Sequence, residues 1–145
     1  MSAITPSVQQ FFDQYAQSRS ALDIDIIASQ YSDSIMFAGP NGVRITEKSA
    51  ILAALPKGQE FLKAIGHKST RVVSLDETRL DERYVLVRAQ FVWRFEKPTA
   101  QPIDVKVDAT FILYIDRGAP QIVFQHEPED FQQALRVSGV LPAKP

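Results

Sequence analysis

Two long runs in the second half of the chain alternate apolar and polar residues with a period of two, and nothing else in the sequence limits the fold as strongly. From Tyr84 to Lys97 the odd positions carry Val85, Val87, Ala89, Phe91, Trp93 and Phe95. From Ile103 to Asp116 they carry Ile103, Val105, Val107, Ala109, Phe111, Leu113 and Ile115. Successive side chains of a strand point to opposite faces, so each run predicts a strand with one buried face. Pro98 to Pro102 reads as the hairpin loop between them. Thr70 to Leu80 and Gln121 to Glu127 are the predicted partners on either side, completing a four-strand meander.

The first half is read at the helical period. Val8, Phe11, Phe12, Tyr15 and Ala16 share one helix face, with Thr5 or Ser7 as its cap. A second short helix starts near Asp23 or Asp25 and carries Ile26, Ile27 and Tyr31. Pro40-Asn41-Gly42 is a turn between two short apolar strands within Ser34 to Ile45. Thr46 is the expected N-cap of a third helix with Ile51, Leu52 and Leu55 on its face; Pro56 and Gly58 interrupt it and Gly66 stops it. Pro128 opens a closing helix, with Phe131 and Leu135 inward. Helices segregated from antiparallel strands define an α+β domain. The 145 residues suffice for one such domain, expected to span 1–145 with its core from about residue 8 to 137.

Composition narrows function mainly by exclusion. A net charge of −1 gives no field to attract nucleic acid or an anionic membrane. The absence of cysteine removes disulfides, thiolate nucleophiles and cysteine metal sites. No apolar run approaches the ~20 residues of a membrane span, and the start of the chain has no leader pattern, so a cytoplasmic protein is expected.

Gln30 to Leu55, QYSDSIMFAGPNGVRITEKSAILAAL, resembles the nuclear-transport-factor-2-like superfamily, in particular its SnoaL-like branch. Tyr31, Asp33, Pro40, Gly42, Thr46 and Ile51 stand at matching places, and the order of elements matches from Val8 to about Leu135. The resemblance implies a cone: a curved antiparallel sheet wrapped around N-terminal helices, with an apolar pocket at the wide end. It also implies that members are variously enzymes or domains that only bind or assemble. The catalytic Asp of the family's steroid isomerases would fall at Ala38 or Gly39, so that base is missing.

Two residues are catalytic candidates. Tyr15, matching a family tyrosine on the first helix, would be a phenol donor to a carbonyl or oxyanion, or else one more core residue of its helix face. His126 alternates with Ile122 and Phe124, which places it on the apolar face near the end of the last strand, as a general base or ligand contact, or as a hydrogen-bonded histidine at the core rim. Phe12, Tyr31, Phe37, Leu55, Trp93, Phe111 and Phe124 are the expected pocket lining. In the strand Thr70 to Leu80, a one-residue slip decides whether Asp76 or Glu77 faces inward. His67 is expected in an exposed loop, and Asp33 at a turn or cap. No metal and no cofactor are expected. The charges of the long strands, Arg88, Arg94, Asp104, Lys106 and Asp108, fall on the opposite face beside Leu86, Val92, Ile112, Tyr114 and Val123. That mixture predicts a homodimer through the outer sheet face. The functional expectation is a domain that binds a small hydrophobic molecule in the cone, with or without general acid–base chemistry; the alternative is a dimeric assembly or scaffold domain.

Overall fold

The computed structural model describes residues 4–21, 23–116 and 118–142; the rest of the expected 1–145 span lies outside the described residues. Helix α1, Pro6–Ala21, starts on Thr5, whose carbonyl accepts from the amides of Val8 and Gln9. Proline at the first helical position loses no bond, because that amide has no partner in a helix anyway. The expected face, Val8, Phe11, Phe12, Tyr15 and Ala16, is buried, and Arg19 is buried with it. Helix α2, Ile24–Ser29, is capped by Asp23, whose carboxylate accepts from the Ile26 amide. Tyr31, expected on this helix, instead opens strand β1, Tyr31–Gly39.

The chain turns at Pro40 and Asn41 into β2, Gly42–Glu47. Gly42 takes φ 115°, a conformation only glycine adopts without strain. Helix α3, Lys48–Ala64, follows without a loop, so Thr46 lies in β2 and the cap position falls to Glu47, which makes no side-chain capping bond. Pro56 does not interrupt α3. Its ring removes one amide donor, but Ala53, Pro56 and Lys57 are exposed there, so water can serve the freed carbonyl. Strands β3, His67–Arg79, β4, Tyr84–Phe95, β5, Ile103–Tyr114, and β6, Gln121–His126, form the meander. Helix α4, Phe131–Val137, closes the chain; Asp130, not Pro128, is its cap.

The six strands lie in the order β2-β1-β6-β5-β4-β3. The expectation of a wholly antiparallel sheet is corrected at one place: β1 and β6 are parallel. Nothing local links them, and a long connection can bring a strand back in either sense. The core packs α1 on the sheet through an aromatic cluster. Phe12 lies 5.0 Å from Phe111, and Tyr15 lies 5.1 Å from Phe91, ring centre to ring centre. A second cluster of Ile65, Phe95, Val105, Leu135 and Val140 sits under α4.

Of the register shifts in the sheet, two β-bulges decide the facing of the candidate site residues. In β3, Val72 pairs with Phe91 but Ser74 with Gln90, leaving Val73 extra. Thr70 and Val72 face inward before the bulge, and Leu75 and Glu77 after it. In β6, Ile122 pairs with Leu113 but Phe124 with Ile112, leaving Val123 extra. Directly opposed residues share a face. Phe124 and His126 therefore stand outward, opposite Ile112 and Thr110, while Gln125 faces inward opposite Phe111. The inward placement expected for Phe124 and His126 is corrected by this one extra residue.

Candidate functional site

A cavity of about 510 Å3 opens between α3 and the concave side of the sheet. Ile51, Leu55 and Leu62 of α3 form one wall, and Ile27, Phe37 and Trp93 face them. Polar groups come from Arg19, Tyr31, Arg44, Thr46 and Gln59. Of the expected lining, Tyr31, Phe37, Leu55 and Trp93 are brought together here. Phe12 and Phe111 are fully buried in the core behind it, and Phe124 is on the other side of the sheet.

Arg19 is the polar centre of this cavity. It is only 9% exposed. Its guanidinium carbon stands 3.4 Å from the ring centre of Tyr15. One terminal nitrogen donates to Gln30 Oε1 at 3.0 Å, Ser18 Oγ at 3.1 Å and the Tyr15 carbonyl at 3.4 Å; the other donates to the Tyr31 hydroxyl at 2.9 Å. Gln30 is itself fixed by donating to the Phe11 carbonyl. Tyr15 thus lies beneath the guanidinium, packed on Phe91 and Phe111. Burial drives its phenol far above the ordinary tyrosine value, only partly offset by Arg19, so it stays protonated.

A second chamber of about 660 Å3 adjoins, between the β1–β2 turn, the end of β6 and the start of α4. Phe37 and Arg44 line both spaces. Gln125 Nε2 donates to Glu127 Oε1 at 2.7 Å, while Gln125 Oε1 is buried without a hydrogen-bond partner among the described residues. Burial raises the Glu127 carboxyl above its ordinary value; the Gln125 bond and the charges of Arg44 and His126 pull the other way.

Glu77, not Asp76, turns inward and receives the Thr5 amide at 2.9 Å and the Thr5 hydroxyl at 2.7 Å, tying β3 to the start of α1. His67, expected exposed, is half-buried at the start of β3, 2.9 Å from Thr70 Oγ1 and against Trp93 and Phe95. Asp33 is an exposed residue within β1 rather than a cap. Sequence reasoning missed Arg19, Gln30, Arg44, Gln125 and Glu127. Arg19 had a signal: it continues the 8, 11, 12, 15 phase of α1 onto the buried face. Gln125 and Glu127 had none, since the bulge that turns them inward leaves no mark in the pattern.

Residues 6–123 match the family model described as NTF2-like protein (DUF6841). The chain belongs to this NTF2-like family. No curated protein matches its sequence. Similar solved structures share the fold at low identity. Aln2 from a Streptomyces species is 13% identical with a TM-score of 0.72, covering 94% of this chain and 99% of that one. The beta subunit of the benzoate 1,2-dioxygenase of Burkholderia mallei is 11% identical with a TM-score of 0.71, covering 92% and 95%. An NTF-2 like protein of unknown function from Shewanella oneidensis is 13% identical with a TM-score of 0.66, covering 85% and 97%. In this NTF2-like chain no described helix is long and apolar enough to cross a membrane. Among its described residues no His, Cys, Asp and Glu side chains gather as a metal site.

Proposed function

We propose that this chain is a SnoaL-like, ligand-binding member of the NTF2-like family that holds a small, mostly apolar molecule between α3 and the sheet. One observation carries the reading: α3 has 17 residues and buries none of them. A helix of that length gains most of its stability by packing an apolar face. Here that face, Ile51, Leu55 and Leu62, only reaches the edges of the two core clusters, stays partly buried, and turns its remaining apolar surface to an open cavity. A bound apolar molecule supplies the missing contact. The volume falls within the ~300–1,000 Å3 typical of small-molecule sites. A partly buried carboxyl available for proton transfer is that of Glu127 in the adjoining chamber. His126 stands on the outer face, and Tyr15 is sealed beneath Arg19.

A fluorescence titration with the neutral apolar dye N-phenylnaphthylamine tests this. Saturable binding is expected, lost in Ala54→Phe, which fills the cavity from an exposed α3 position, with the circular dichroism spectrum unchanged. Absence of saturable binding to the wild type would overturn the reading in favour of an assembly domain.

A further inference from the structure

We infer that the cavity selects organic anions: a carboxylate on an apolar body, with the carboxylate at Arg19. The inference rests on the ligand-binding reading above and names the chemical class of its ligand. Every hydrogen-bond acceptor that Arg19 meets is neutral: an amide oxygen, two hydroxyls and a backbone carbonyl. The ion pairs among the described residues involve Arg94, not Arg19. A guanidinium cannot shed its proton to escape burial, so this site carries a full positive charge with no carboxylate among its direct partners. Leaving such a charge unpaired in a poorly hydrated place is costly, and an anion arriving there removes that cost.

The guanidinium still has donors to offer. The four bonds use its two terminal nitrogens, and its Nε makes none among the described residues. Nε and one terminal nitrogen form the edge on which carboxylates dock with two parallel bonds. The ring of Tyr15 beneath and the bonds to Gln30 and Tyr31 hold the plane of the group, so little side-chain entropy remains to be lost on binding. The remaining walls, from Ile27, Phe37, Ile51, Leu55 and Trp93, accept hydrocarbon.

Trp93 is the only tryptophan of the chain and lines the cavity, so its emission reports occupancy. Three probes of matched shape are titrated against the wild-type protein: cyclohexylbutyrate, its primary amide and the corresponding amine. The carboxylate should bind tighter than the amide by on the order of 10- to 100-fold, the value of a charge-assisted hydrogen bond over a neutral one, and the amine weakest. The advantage should fade as pH falls through the ligand's own carboxyl pKa. In Arg19→Met the carboxylate and amide should become equal while the amide still binds. Should that variant not fold, the wild-type acid-to-amide ratio and its pH dependence decide alone. An amide that binds as well as the acid overturns the inference and leaves the binding reading standing; no binding of any of the three overturns both.

Discussion

Glu127 illustrates how a single side chain carries the local electrostatics into stability. Its carboxyl is raised from the ordinary 4.5 by burial. A raised folded-state value means the folded protein holds the proton more tightly than the unfolded chain. The stability this contributes is complete below the unfolded value and is lost as pH rises through the folded one. Glu127→Gln should therefore gain on the wild type as pH rises from about 4 to about 8, seen as a widening difference in urea midpoint. A constant difference would show that the carboxyl is not perturbed. Two phenylalanines test the facing of the strands at the same scale. Phe111 is fully buried, and Phe111→Ala should cost about 3–5 kcal/mol. Phe124 is only partly buried on the outer face, so Phe124→Ala should cost under about 1.5 kcal/mol in chemical denaturation. Equal losses would contradict the outward placement.

The junction of α3 with β3 depends on Gly66. Its φ is 91°, and a Cβ there would collide with the Glu96 carbonyl, whose own amide donates to the Gly66 carbonyl at 2.8 Å. Gly66→Ala should lower stability by about 1–3 kcal/mol, measured by thermal melting, whereas Gly58→Ala, with open space around it, should raise it slightly through helix propensity. Helix α3 itself should respond to occupancy. Its apolar face lines the cavity and none of its residues is buried. Amide exchange over 51–62 should slow on addition of cyclohexylbutyrate, while exchange in β4 and β5 stays unchanged. Unaltered exchange in α3 would place the ligand elsewhere.

Across the whole molecule, the outward turn of Phe124 completes an apolar row on the convex sheet face. Met36 opposes Phe124, Phe124 opposes Ile112, and Ile112 opposes Leu86, so the row crosses four adjacent strands. Met36 is 40% exposed at its end. A row of this kind suits a two-fold copy of itself, and a homodimer through this face is expected. Sedimentation equilibrium at tens of micromolar, about the range of transient interfaces, should show a dimer for the wild type and a monomer for Ile112→Asp. A dimer untouched by that substitution would move the interface elsewhere.

The order of residues along the chain was enough to settle the elements and the main core. Period-two alternation in β4 and β5 and period-3.6 spacing in α1 are properties of consecutive residues, so Phe12, Trp93 and Phe111 took the faces expected of them. Gly42 and Gly66 marked a turn and a stop for the same local reason. The parallel β1–β6 pairing and the bulges at Val73 and Val123 were settled by tertiary packing alone. A bulge is set by how two strands register against each other, and one inserted residue reverses every side chain beyond it. That is why Phe124 and His126 exchanged places with Gln125 and Glu127. The phase of α1 put Arg19 on the buried face, but the neutrality of all its hydrogen-bond acceptors became visible only once α2, β1 and α3 had closed around it.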